Sequence, residues 1–245
     1  MKNKYGLSRN IPTDIEREIR KVCGFGCVLC GASIIEYEHV DPPFAEAQEH
    51  DPRKITLLCP RHHSLSTRGF LSKETIKKGM EEPFCKKIGY ACEELDVGKA
   101  HPTIVFGGVT LRNCQIPITV MDVRLFEVKE AEEVGAPYRL NAIFYNSQGE
   151  LSLLIMDNEW RAYETNWDVE AVGGVVTIRD NPKRISLRLV VMPPYGIIIK
   201  NLDMYFMGYH FIGNPYDLLV EFPNGSKASF KGGLVDNCRI GISFS

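Results

Sequence analysis

The reading of this chain turns on residues 27 to 63: CVLCGASIIEYEHVDPP over 27–43, a ten-residue spacer, then KITLLCPRHH over 54–63. Cys27 and Cys30 form a C-x2-C knuckle, and Cys59 and His62 repeat the same spacing. Thiolate sulfur and imidazole nitrogen are soft or borderline donors, and four of them is the number that a closed, tetrahedral structural zinc site takes. With four protein ligands no position is left for water, so such a metal braces a small module in place of a large hydrophobic core. Cys23 lies four residues before Cys27 and competes for one position. Cys85, Cys92, Cys114 and Cys238 lack any matching spacing and read as core thiols. Three polar groups stand beside the knuckles without being needed by them: Glu38, His39 and His63.

Local signals place these residues on short elements. Glycines from Gly24 to Gly31 suit the tight turn around clustered sulfurs. Ser33 to Val40 carries β-branched and aromatic residues and predicts a strand ending at Glu38-His39, broken by Asp41-Pro42-Pro43. Residues 44–53 predict a loop, and Ile55 to Leu58 a second strand. Pro60 opens a helix at its first turn, where proline is tolerated, and this helix carries His62 and His63. Upstream, Thr13-Asp14-Ile15-Glu16 reads as a capping box, followed by Ile15, Ile19 and Val22 at helical spacing and stopped by Gly24. Ser72 to Gly79 predicts one more short helix.

The order strand, strand, helix around a metal knuckle resembles the HNH endonucleases, a branch of the ββα-metal nucleases. The matching positions are Cys27, Cys30, Glu38-His39-Val40, Ile55-Thr56-Leu57-Leu58-Cys59, His62 and His63, within roughly residues 13 to 80. His62 stands where the family has a second Cys, and Lys54 where it has Asn or His. The resemblance implies hydrolysis of a phosphodiester, with double-stranded DNA as substrate. It implies His39 as general base, an imidazole titrating near the working pH. It also implies Glu38 and His63 as ligands of one catalytic divalent ion, magnesium, manganese or another. Lysine accepts no hydrogen bond, so Lys54 cannot copy an Asn carbonyl; as a catalytic residue it would contact the scissile phosphate as a point charge. His50 is an alternative source of the missing function. Arg53, Arg61 and Arg68 are candidates for the DNA backbone. The rival reading is a zinc-knuckle protein that binds nucleic acid or a partner and has lost catalysis.

Beyond Thr103 the pattern turns to β. Thr119 to Leu125 alternates, and two pairs of runs flank Asn146-Ser147-Gln148-Gly149 and Pro223-Asn224-Gly225-Ser226, both hairpin signals. Gly107 to Cys114 and Gly232 to Cys238 look alike, either as rungs of a repeat or by chance. Trp160, Tyr163, Trp167, Tyr205, Phe206 and Tyr209 are candidates for a binding face or a core. The expected fold is therefore α+β. A ββα-metal module with structural zinc covers residues 1–95, and a mostly-β domain (sandwich, barrel or short solenoid) covers 96–245. That second domain is a candidate for self-association, or for a ligand or partner that controls the first.

The charge is uneven: +3 over residues 1–90 (15 Lys and Arg against 12 Asp and Glu) and −5 over residues 91–245 (14 against 19). Extended nucleic-acid contact is thus disfavoured for the second part and allowed for the first. No apolar run approaches the roughly 18 residues of a membrane span. The opening MKNKYGLSRNIP has no apolar stretch after its basic residues, which predicts a cytoplasmic protein with reduced thiols and no membrane contact.

Overall fold

In the computed structural model, which describes residues 2–245, the first helix, α1 (Thr13–Cys23), forms where the apolar spacing places it. Its start differs in detail. Pro12 is the N-cap, its carbonyl accepting from the Glu16 N–H at 2.9 Å, and no side chain caps the helix. Proline's fixed φ already suits this position, so Thr13 is taken into the first turn instead of standing before it. The buried face is centred on Ile19, Arg20 and Cys23, leaving Val22 56% exposed. Gly24 closes the helix with φ of 72°, and a Cβ there would lie 2.8 Å from that of Cys85, so only glycine fits.

The chain forms a mixed α+β fold, with few helices and one large curled β-sheet, in two units. The first unit runs up to Glu93 and includes Ala162–Val169 from much later in the chain. Asp168, in that later segment, accepts from Arg20 Nε at 2.9 Å and Nη2 at 2.8 Å, and Arg20 Nη1 donates to the Tyr37 hydroxyl at 2.9 Å. Burial opposes the Arg20 charge, but Asp168 and Tyr37 outweigh it and hold the guanidinium pKa above its ordinary value. Arg17 and Lys21 lie over the Trp167 ring at 4.8 and 4.5 Å.

Strands β1 (Glu36–His39) and β2 (Ile55–Leu58) pair antiparallel, with Glu38 opposite Thr56 and His39 opposite Ile55. The first strand is shorter than its β-branched composition predicts. Ser33 is held outside the ladder by its N–H on the Cys92 carbonyl. Helices α2 (Pro60–Thr67), α3 (Lys73–Glu81) and α4 (Phe84–Ile88) follow. The core beneath them holds Ile19, Val28, Ile55, Leu57, Leu58 and Ile76, each at most 2% exposed. At about 1.5–3 kcal/mol per fully buried aliphatic side chain, this core is small for the elements it carries.

The other strands are β3 (Tyr90–Glu94), β4 (Thr103–Phe106), β5 (Val109–Val120), β6 (Val123–Lys129), β7 (Arg139–Tyr145), β8 (Leu151–Met156), β9 (Glu159–Tyr163), β10 (Asp168–Val172), β11 (Val175–Asn181), β12 (Arg184–Met192), β13 (Gly196–Phe206), β14 (Tyr209–Gly213), β15 (Asp217–Glu221), β16 (Lys227–Lys231) and β17 (Gly233–Phe244). In the second unit (Glu94–Arg161 and Glu170–Ser245) the hydrogen-bonded order is β11-β12-β13-β4-β5-β6-β7-β8. The β14–β16 meander branches from β13, and β17 pairs with β5. Both hairpins signalled by the sequence form, as β7–β8 and β15–β16. Phe106, Phe126, Phe144 and Phe211 fill the interior of the sheet, and Trp160 and Tyr209 join the core at 4% and 3% exposure.

The two Gly-Gly segments are neighbours. β17 lies parallel to β5 with Cys238 opposite Cys114, Ile240 opposite Ile116 and Ile242 opposite Ile118. Asn113 and Asn237 bend both strands at the same level, with φ of 49° and 54° in the left-handed region that asparagine tolerates. Asp236 ties the bend, accepting from Asn113 Nδ2 at 2.9 Å and Arg112 Nη2 at 2.8 Å. The two segments are thus neighbouring parallel strands of one sheet. No helix among the described residues is long and apolar enough to cross a membrane.

The Arg20–Asp168 pair yields a direct test, because its side chains are only 4% and 1% exposed. Asp168→Ala leaves a buried guanidinium without its carboxylate, and is expected to destabilise the first unit by roughly 3–5 kcal/mol. Urea denaturation followed by tryptophan fluorescence reads the loss; a midpoint unchanged from the parent protein would contradict it.

Candidate metal centre and adjoining histidine–carboxylate pocket

The knuckle turn forms as its glycines require. The Gly31 N–H donates to the Cys27 carbonyl at 2.9 Å, and Gly31 has φ of 81°. A Cβ on Gly26 would lie 2.7 Å from the Gly31 carbonyl oxygen, so the turn closes only without one. The second half-site is built by the start of α2. Cys59 is the N-cap, Pro60 occupies the first turn, and His62 N–H points at Cys59 Sγ at 3.5 Å.

Together, Cys27, Cys30, Cys59 and His62 bring one donor atom each within 4.8 Å of all the others. Cys27 Sγ and Cys59 Sγ lie 3.4 and 3.3 Å from His62 Nδ1, and Cys30 Sγ lies 3.8 Å from Cys59 Sγ. Metal–sulfur bonds of about 2.3 Å at tetrahedral angles put the sulfurs slightly under 4 Å apart, so the spacing fits a metal ion at the centre. Burial pushes the Cys30 thiol up to about 12 and raises Cys27, so a cation is what would stabilise them as thiolates. Cys23 does not join. Its sulfur faces Thr56 Oγ1 at 3.5 Å, on the buried side of α1. Cys85 turns to the Gly31 carbonyl at 3.7 Å.

Adjacent positions on a helix point roughly 100° apart. His62 therefore turns to the cysteines while His63 turns to strand β1. His63 Nδ1 lies 2.8 Å from Glu36 Oε2 and its Nε2 lies 3.2 Å from Glu38 Oε2. Carboxylates only accept, so holding both at once needs an N–H on each ring nitrogen. Glu38 Oε1 also accepts from Lys73 Nζ at 2.8 Å and Ser66 Oγ at 3.2 Å.

A cavity of about 470 Å³ opens over this group, lined by Glu36, Glu38, His39 and His63 together with Arg9 and Phe44. Three of these four polar residues, Glu38, His39 and His63, are those the sequence singles out. Glu36 is the one it passes over. Side chains two apart on a strand share a face, so the presence of Glu38 in the motif is the signal that could have found it. His39 is 9% exposed. Burial first, and then the neighbouring His50, lower its pKa below the usual histidine value. Its Nε2 lies 3.2 Å from His50 Nδ1, and its ring meets Phe44 edge-on at 5.3 Å between centroids.

Lys54 is placed differently. Its carbonyl accepts from the Val40 N–H at 2.9 Å, but its amine turns to Asp51 Oδ2 at 3.8 Å and lines two neighbouring depressions instead of this cavity. Arg53 grips the same Asp51 through Nε and Nη2, both at 3.0 Å, while Arg61 and Arg68 are exposed at the two ends of α2.

The cluster carries its own test. Purified protein is expected to hold one metal ion, with its melting temperature falling on chelation. Cys59→Ser should lose both the ion and the stability, and Cys23→Ser should keep the ion. Metal content by atomic emission, read beside thermal melts, checks this; equal metal loss in both variants would reject the ligand assignment. Compared with known proteins, the chain matches no family model, no curated protein and no solved structure.

Proposed function

We propose that the first unit is a zinc-braced ββα-metal module of HNH type and that the protein is a metal-dependent endonuclease acting on double-stranded DNA. The observation that carries this reading is the convergence of His39, Glu36, Glu38 and His63 on one cavity beside the Cys27, Cys30, Cys59 and His62 cluster. Zinc in that cluster would be structural. The donor set at the cavity, two carboxylates and an imidazole on facing elements, suits magnesium, manganese or a softer divalent ion. Such an ion, held by Glu36, Glu38 and His63, would neutralise phosphate charge and assist the leaving oxygen.

His39 is the base in this reading. A half-enclosed imidazole kept neutral can take the proton of an attacking water, a contribution of about 10²–10⁴-fold. Lys73 and Ser66, both on Glu38, hold that carboxylate in place. Arg61 and Arg68 are free to follow phosphates, whereas Arg53 is tied to Asp51.

One observation favours the rival reading of a binding module without catalysis. Glu36 and Glu38 already meet the ring nitrogens of His63, and Glu38 the ammonium of Lys73 as well, so both carboxylates have partners within the chain. The two readings separate in solution. Supercoiled plasmid with magnesium or manganese should be nicked by the native chain, not in EDTA, and at least about 100-fold more slowly by His39→Ala. No cleavage with any divalent ion, together with no calorimetric binding of magnesium or manganese, would favour the rival. Cleavage unchanged in His39→Ala would reject the base.

The pH profile adds a sign. A base works when deprotonated, and a lowered pKa moves its acid limb downward. Cleavage is thus expected to lose rate only below pH 6.5, the ordinary histidine value, in a series of buffered nicking assays. An acid limb above that value would place the proton transfer on another group.

A further inference from the structure

His50 takes no part in holding a metal or moving a proton in the reading above, yet it is 9% exposed and both of its ring nitrogens are engaged. Nδ1 faces His39 Nε2 at 3.2 Å, and Nε2 faces the backbone carbonyl of Ser8 at 3.0 Å. A carbonyl oxygen only accepts, so His50 carries its proton on Nε2. In neutral His50 the other nitrogen, Nδ1, is then a lone pair and can only accept. The nitrogen facing it, His39 Nε2, must therefore be the donor. Neutral His39 has one ring proton, and with that proton on Nε2 its Nδ1 is the lone pair.

We infer that His50 is the positioning residue of this centre: it fixes His39 as the Nε2–H tautomer and leaves Nδ1 as the nitrogen that receives the proton. The role in hydrolysis rests on the nuclease reading; the tautomer rests on the hydrogen bonds alone. Among the described residues Nδ1 of His39 has no hydrogen-bond partner, and it is not one of the buried polar atoms left unpaired, so it remains open to solvent. The support behind His50 is itself tied down. Asn3 Nδ2 donates to the carbonyls of Phe44 and Ala47, both at 2.7 Å, which fastens the N-terminal segment carrying Ser8 to the loop after β1. Phe44, in that loop, packs edge-on against the His39 ring. The chain Ser8 carbonyl, His50, His39 thus sets both the proton and the plane of the ring. It also gives the centre an orienting partner that Lys54 does not provide, since lysine has no acceptor and its amine is at Asp51.

The test has an arm that does not depend on activity. With ¹⁵N-labelled protein, the Nε2–H···Nδ1 hydrogen bond should appear as a scalar coupling from His39 Nε2 to His50 Nδ1, with the ring proton of His39 on Nε2. It should vanish in His50→Leu. The second arm is kinetic. His50→Leu is expected to lower kcat for plasmid nicking about 100-fold with KM little changed, and His50→Asn, whose Oδ1 replaces the accepting Nδ1, to regain all but about tenfold of it. Circular dichroism confirms that both variants fold. A His39 proton on Nδ1, or no coupling in the native chain, overturns the inference whatever the DNA does. Equal kcat losses in the Leu and Asn variants, or none in either, overturn the positioning role. A native chain that shows the coupling and cuts no DNA under any metal supports the tautomer and instead removes the nuclease reading.

Discussion

The clustering of Cys27, Cys30, Cys59 and His62 is the constraint on which the first unit depends. Strands β1 and β2 are four residues each, and none of the eight residues of α2 is buried. A helix with no buried face has little hydrophobic reason to stay against its neighbours. What fixes its N-terminal end is the half-site formed by Cys59 and His62, facing the knuckle formed by Cys27 and Cys30. His63 is the next residue, so its approach to Glu36 and Glu38 follows from that anchoring. A metal centre that holds the helix would thus also set the geometry of the neighbouring pocket, without taking part in its chemistry.

The pocket shows what happens when charged groups are half enclosed. Glu36, Glu38, His63 and Lys73 form one alternating network, in which each carboxylate meets a cationic or proton-bearing nitrogen. His39 lies beside the network: Lys73 Nζ donates to its backbone carbonyl at 3.3 Å, its ring faces His50 and Phe44, and burial first, then His50, lowers its pKa.

The second unit is organised by a different force, main-chain pairing. Its longest contact is the parallel register of β5 and β17, which brings residues some 124 positions apart onto the same level. The two asparagine bends coincide because each strand must turn at the same height to keep its hydrogen bonds. The similarity of Gly107–Cys114 to Gly232–Cys238 left repeat and coincidence open; the register shows that the two segments lie side by side in one sheet. The strand spacing suggested a sandwich, a barrel or a short solenoid, and the structure has one large curled sheet instead, since alternation fixes which face is buried and not how the sheet closes.

Local chemistry was legible in the residues themselves. The x2 spacing of the half-sites, the proline break at Asp41-Pro42-Pro43, the strand Ile55–Leu58 and the helix opened by Pro60 follow from constraints that act within a few positions. The convergence of Glu38, His39 and His63 was legible only through resemblance, because spacing does not say where side chains meet. Three contacts were completed only by the tertiary structure. Glu36 joins the pocket through the pleat of β1 against α2. His50 meets His39 because the loop after β1 folds back beneath the N-terminal segment. Asp168 neutralises Arg20 across 148 residues of sequence. The contacts of His50 and Asp168 join groups whose separation along the chain carries no periodic signal, and both are imposed by the need of a buried charge or ring nitrogen to find a partner.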